Sequence, residues 1–313
     1  MAHKRKERDM LKAHVNNETW LVQQPHHAQV SGFLAAHWGG PNGFVRPGFE
    51  KNATHPAKWR DEIVLGIAEH DNGWWETEAM PRFSENDGLP VGVGEAAPPT
   101  AENELGAWHA GGFERWLIGI ERLATHHPYA ALLTSMHAYW LYAVVFEDLH
   151  SCDVDLRRHF VFGPPEVAKG LVSDETKARA FLSELSNVQA MLIGRIAKDP
   201  TMAGALEPEH LDGHARLLQL FDSMSLYLAL NDTETHELPH VPRGGWNDRV
   251  TLTWERLDAR TIGLDPYPFD TEGLVVSMPA RIVPDAPSSP DQPMSRFFAS
   301  ALQSIEFRFV PLN

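Results

Sequence analysis

The stretch Ile63-Val64-Leu65-Gly66-Ile67-Ala68-Glu69-His70-Asp71-Asn72-Gly73-Trp74-Trp75-Glu76 decides how the chain is read. Its apolar residues recur at helical spacing, so Ile63, Ile67 and His70 share one face, with Val64 and Asp71 beside them. The spacing predicts a helix that carries an adjacent His and Asp into the interior at its end and is broken by Asn72-Gly73. A buried His-Asp pair needs partners, because unpaired polar groups are costly away from water. One explanation is a carboxylate hydrogen-bonded to a core histidine. The other is an imidazole nitrogen and a carboxylate oxygen on one divalent ion, with other helices supplying further ligands.

Upstream, Pro25 suits the first turn of a helix whose body would cover residues 26–38. Counting by threes and fours from His27 gives Val30, Ser31, Leu34 and Trp38, a small and apolar face that packs inward and takes His27 with it. His26 and His37 fall off that face. Downstream, residues 129–146 hold no formal charge. Their three tyrosines, two hydroxyl residues and His137, followed at once by Glu147-Asp148, argue for a central core helix rather than a membrane span. A second inward carboxylate comes late. Stepping from Asp222 reaches Leu218, Ala215, Ser225, Leu226 and Ala229, so Asp222 lies on the buried stripe of a helix opened by Pro208. A salt bridge would satisfy it, and so would a metal.

Around these helices the chain reads as a charged tail over residues 1–17, a short extended entry at 20–24, and helices at about 102–126 and 173–198. The Pro- and Gly-rich run 81–99 has no hydrophobic period and reads as a long loop, of the kind that covers sites. From about Trp246 the pattern alternates as strands do, at 250–254, 260–264, 273–278, 280–283 and 304–310. The expected fold class is thus mainly α. A helical domain over 18–245 would carry a small antiparallel β subdomain over 246–313.

The composition limits function. A net charge of −15 argues against a general nucleic-acid or anionic-membrane binder. The single cysteine, Cys152, excludes an intramolecular disulfide and a cysteine-based zinc knuckle, and residues 1–20 lack the apolar core of an export signal, so a cytoplasmic location is expected. Seventeen histidines are the anomaly. Those in Thr-His-Glu-Leu-Pro-His (His236, His240) read as loop residues, and the informative ones lie inside apolar helical patterns.

His27, the His70-Asp71 pair and Asp222 follow one another on three helices, each facing inward. That order resembles the HD superfamily of metal-dependent phosphohydrolases, with a helix-borne His, a His-Asp pair at a helix end and a late helical Asp. The resemblance implies an HD-domain-like helical bundle over about residues 18–235 and places His27, His70, Asp71 and Asp222 as metal ligands. Where such enzymes often continue His-Asp with Ile-Gly-Lys, this chain has Asn72-Gly73-Trp74. Dinuclear relatives add two histidines between the pair and the last Asp. His127 and His137 are the candidates for those places, with His109 a weaker one. A closer similarity is to a bacterial family of uncharacterised proteins, a domain of unknown function, through Gln24–Ala28, Ala68–Trp74, Pro128–His137, Asp222–Leu226 and the Pro266–Phe269 turn.

The first expectation is therefore a hydrolase of a small phosphorylated molecule, using one or two divalent transition ions (Fe, Mn, Zn or Ni). His137 or Glu76 would act as general acid or base, and Arg157, Arg158 or Arg243 would meet the phosphate. The second is a non-haem di-iron oxygenase. The third is a non-enzymatic small-molecule binder whose eight tryptophans between Trp20 and Trp140 line a pocket. The expected partner is a small-molecule substrate rather than nucleic acid or a membrane, with a homo-oligomer left open.

Overall fold

The computed structural model describes residues 10–84, 87–92, 112–146, 154–164, 167, 172, 174–285 and 293–312. Sheet formation begins at once. Leu11 and Ala13 are buried and alternate with Lys12 and His14, the period of a half-buried strand. This strand, β1 (Leu11–Val15), turns through Asn16, at φ 57°, into β2 (Glu18–Val22). The remaining strands are β3 (His236–Gly245), β4 (Asp248–Arg256), β5 (Thr261–Asp265), β6 (Val275–Pro284) and β7 (Leu302–Pro311). Together they make one seven-stranded sheet in the order β1-β2-β6-β7-β5-β4-β3, in which β5 and β7 are parallel and every other neighbouring pair is antiparallel.

The helices are α1 (Gln24–Ala36), α2 (Pro56–Ala68), α3 (Trp75–Ala79), α4 (Gly112–Ala124), α5 (Pro128–Ala143), α6 (Val154–Arg157), α7 (Glu175–Ile196), α8 (Pro208–Ala229) and α9 (Pro293–Ala299). Helices α1 and α8 pack against each other and against the sheet, at β6 and β3 respectively, while α2 and α5 pack on their far side. Close approach is built into the sequence: a Cβ at Gly32 of α1 would collide with that of Ala68 of α2, and one at Gly66 would stand 3.0 Å from Ala130 Cα of α5. Every residue from Tyr129 to Ala138 is buried, which makes α5 the expected central helix. No described helix is long and apolar enough to cross a membrane.

These observations correct the mainly-α, all-alpha expectation. The structure is 46% helical and 23% strand, with the strands gathered in one large, curled, mixed sheet rather than in a small antiparallel subdomain. Segment 10–15, assigned by its charge to the tail, supplies the edge strand, and β2 links it to β6, so the two ends of the chain share the sheet. The expected boundary at 245/246 falls in the hairpin between β3 and β4. The sheet is also covered on its second face: Leu21 and Val283 pack with Met10, Leu89 and Phe297. Part of the expected 81–99 loop thus has a structural job, since Val91 accepts the Met10 N–H at 3.1 Å and Leu89 is buried. Residues 85–86 and 93–111, including the rest of that loop, the start of the 102–126 helix and His109, lie outside the described residues, as does Cys152.

Candidate metal centre

Helix α1 delivers the first histidine. Pro25 opens it, and the buried Glu78 of α3 accepts the Gln24 N–H at 2.7 Å through Oε2, satisfying one of the helix's leading donors. His27 then lies one turn in and is buried. Its Nδ1 is 2.8 Å from Ser225 Oγ and its Nε2 is 2.9 Å from Asp71 Oδ2. Ser31, one turn further on α1, donates to Ser225 Oγ at 2.8 Å and so locks the hydroxyl that holds the imidazole.

His70 and Asp71 are placed differently from expectation. Helix α2 ends at Ala68, and the pair occupies the turn between it and the 3-10 segment Asn72–Trp74. The reason lies in the residues after the pair. Asn72 Nδ2 donates to Glu69 O at 2.7 Å and to Gly119 O at 3.2 Å, and Arg122 of α4 donates to Asn72 O at 2.8 Å. Gly73 sits directly against the α4 backbone, where a Cβ would overlap the Arg115 carbonyl oxygen. Asn72-Gly73 therefore docks the turn on α4, a packing role at the point where the Ile-Gly-Lys continuation is missing.

Within that turn the His70 Nδ1–H donates to Ile67 O at 2.8 Å, which fixes the ring's orientation and leaves Nε2 for the interior. His70 Nε2 is buried without a hydrogen-bond partner, 3.4 Å from Asp222 Oδ1 and 3.7 Å from Asp71 Oδ2. Asp222 reaches the same point from the middle of α8, 3.6 Å from His27 Nδ1. Ligand atoms of His27, His70 and Asp222 all lie within 4.8 Å of one another. Around an ion with bonds of about 2.1 Å, neighbouring ligand atoms stand roughly 3.0 Å apart in an octahedron and roughly 3.4 Å in a tetrahedron. The contacts made through the Nε2 atoms, 2.9 Å from His27 to Asp71 and 3.7 and 3.4 Å from His70 to Asp71 and Asp222, have that scale, and two imidazoles with two carboxylates form a donor set for a divalent transition ion.

Electrostatics supports the same reading. Burial alone would push His70 down, but the Asp71 and Asp222 carboxylates outweigh it and hold the ring up at about 9. Burial would raise Asp222, yet the adjoining His137, His159 and His70 keep it well below the usual carboxylate range. In the metal-free protein at neutral pH, His70 thus carries a proton where an ion would bind. Loading a divalent ion at pH 7 should release about one proton per chain, and apparent affinity should rise roughly tenfold per pH unit up to about pH 9. Calorimetric titration in buffers of different ionisation enthalpy checks both expectations.

Two further histidines adjoin Asp222. His137 Nε2 is 3.4 Å from Asp222 Oδ2, and burial lowers its pKa, so the ring is neutral at pH 7. His159 Nε2 is 2.9 Å from the same oxygen. His159 lies in the polar stretch after α6, where no hydrophobic period marks it, and sequence reasoning passed it over. A cavity of about 30 Å³, room for a water or two, opens beside the cluster. His27, Asp71, His137 and Asp222 line it together with Gln24 and the apolar Leu11, Trp74, Trp116, Phe162 and Leu226.

Other expected site residues lie elsewhere. His127 precedes α5, ten residues or about 15 Å along the helix from His137, half exposed and 3.0 Å from Glu62. Glu76 is exposed and paired with Arg122. No Lys or Arg lines the cavity among the described residues. Arg157 contacts Asp212 and the face of Trp140, Arg158 donates to Gly163 O, and Arg243 pairs with Asp248.

The fold and the cluster together define a helix-and-sheet protein with a buried His/Asp centre. The chain belongs to the family described as "Protein of unknown function (DUF3891)", which matches residues 10–285, from β1 through β6. No curated protein and no solved structure matches it.

Proposed function

We propose that the protein is a metal-dependent hydrolase whose ion is held by His27, His70, Asp71 and Asp222, the ligand set suggested by the resemblance to HD phosphohydrolases. The observation that carries this reading is His70 Nε2, buried 3.4 Å from Asp222 Oδ1 and 3.7 Å from Asp71 Oδ2 without a well-aligned hydrogen bond to either, while Nδ1–H is tied to a backbone carbonyl. A bound divalent ion supplies a water of lowered pKa and polarises the oxygen of the bond to be cleaved. The neutral His137 on the cavity wall is the base placed to take a proton from that water. Trp74, Trp116 and Phe162 form the apolar side of the water-sized cavity and exclude bulk solvent, and a substrate with an apolar group would have to displace them to reach the ion. With no cation on the described wall, a phosphate's charge is met at the metal end alone. That favours a compact phosphoester bearing an apolar group over a nucleotide polyphosphate.

The test is anaerobic turnover of an aryl phosphomonoester by protein loaded with Mn, Zn, Ni or Fe. The expected result is hydrolysis that His137→Ala lowers by about 100-fold or more, the usual scale of general-base loss. Turnover that requires oxygen would instead favour a di-iron oxygenase. In favour of that second reading, His137 and His159 both approach the second oxygen of Asp222. Absence of turnover with any phosphoester, despite a loaded ion, would leave a metal-containing binding protein.

A further inference from the structure

The loop that carries His159 is clamped on α8 over two turns. Arg216, fully buried, donates to Arg158 O and to Pro239 O at 2.9 Å, and its guanidinium lies 3.8 Å over the Phe160 ring. One turn on, Gln219 donates to Arg157 O at 2.8 Å while its Oε1 accepts from Arg216 at 2.9 Å. The next residues of the row, Asp222 and Ser223, meet His159 itself at 2.9 and 3.1 Å. Positions 216, 219 and 223 share a helix face, so one side of α8 fixes both ends of the contact.

The ring's protonation follows from its other nitrogen. His159 Nδ1 is 3.2 Å from the backbone N–H groups of both Val161 and Phe162. Those groups can only donate, so Nδ1 is an acceptor and the ring proton is on Nε2. The Nε2–H therefore donates to Asp222 Oδ2, and the nitrogen facing Asp222 has no lone pair for an ion. The opposite oxygen, Oδ1, is the one that faces His70 Nε2, at 3.4 Å, and it lies 3.6 Å from the Nδ1 edge of the His27 ring.

Building on the hydrolase reading, we propose that His159 is a positioning residue. It holds Asp222 by Oδ2, presents Oδ1 to the ion shared with His27 and His70, and so limits the centre to one metal. A histidine that ligated a second ion would need the lone pair that this hydrogen bond consumes.

Cadmium is the probe, with the full-length chain labelled at its histidine nitrogens. Wild type is expected to bind one Cd(II), with cadmium–nitrogen coupling at His27 and His70 and none at His159, whose Nε2–H signal persists. His159→Phe should weaken cadmium binding by about 10- to 100-fold, the usual cost of losing an outer partner of a metal ligand. His159→Gln, which retains an N–H donor of similar reach, should restore most of the affinity. Coupling at His159, or a drop from two ions to one in His159→Phe, would overturn the proposal by making His159 a ligand. Unchanged affinity in a folded His159→Phe would overturn it by making the contact idle. Failure of wild type to bind cadmium at all would sink the hydrolase reading itself, an outcome distinct from the other two.

Discussion

Asp222→Asn should reduce metal affinity by more than about 100-fold, beyond the range that outer-shell changes produce. Asp222 lies within 3.6 Å of His27, His70, His137 and His159, and it reaches them with both oxygens. Asparagine keeps the shape, and its carbonyl oxygen can still accept from His159, so the fold is expected to survive. What is lost is the negative charge. With it goes part of the attraction that holds His70 protonated in the metal-free protein, so the His70 pKa should fall from about 9. A titration of His70 by NMR reads that change without any metal present. A variant with wild-type affinity and an unshifted His70 would show that the carboxylate is a bystander.

Gly73→Ala should destabilise the protein by about 3 kcal/mol or more, the upper end of overpacking costs. Overpacked side chains are usually accommodated by rotamer changes, but here the new methyl meets the main chain of α4 at Arg115, with Gly119 N at 3.2 Å on the same side. Helix and turn would have to separate, which also strains the hydrogen bonds of Asn72 to Gly119 O and of Arg122 to Asn72 O. Asp71 immediately precedes this contact, so metal affinity should fall together with the thermal midpoint. Gly194→Ala is the control: beyond its own turn of helix, no atom lies within 4 Å of its added Cβ, and alanine is the better helix former. A Gly73→Ala protein that melts as wild type does would show that the turn does not depend on close docking against α4.

The site was more legible in the sequence than the sheet. His27, Asp222 and the 70–71 pair stood out because each puts a polar group on an apolar helical face, a conflict that only a partner resolves. The first two lie on helices as read. The pair lies in a turn, because Asn72 and Gly73 dock on α4, a long-range contact with no local signature. His159 was illegible for the same reason, since its position depends on Arg216 and Gln219 more than fifty residues away. The edge strand could have been read. Leu11, Ala13 and Val15 alternate with Lys12 and His14 ahead of Asn16-Asn17, a hairpin signal, but this short alternation directly follows the charged run at 3–9, which masks it. That β2 pairs with β6 was beyond periodicity, because strand order depends on contacts across the whole chain.

The central claim is that His27, His70, Asp71 and Asp222 form a metal centre, and calorimetric titration of metal-free protein with Mn(II), Zn(II) and Fe(II) tests it most directly. Wild type should take up about one ion per chain with proton release, Glu76→Ala should do the same, and Asp222→Asn should show no binding at comparable concentrations. Uptake that persists in Asp222→Asn, or a wild-type protein that binds none of the three ions, would contradict it and leave the cluster as a hydrogen-bonded polar core.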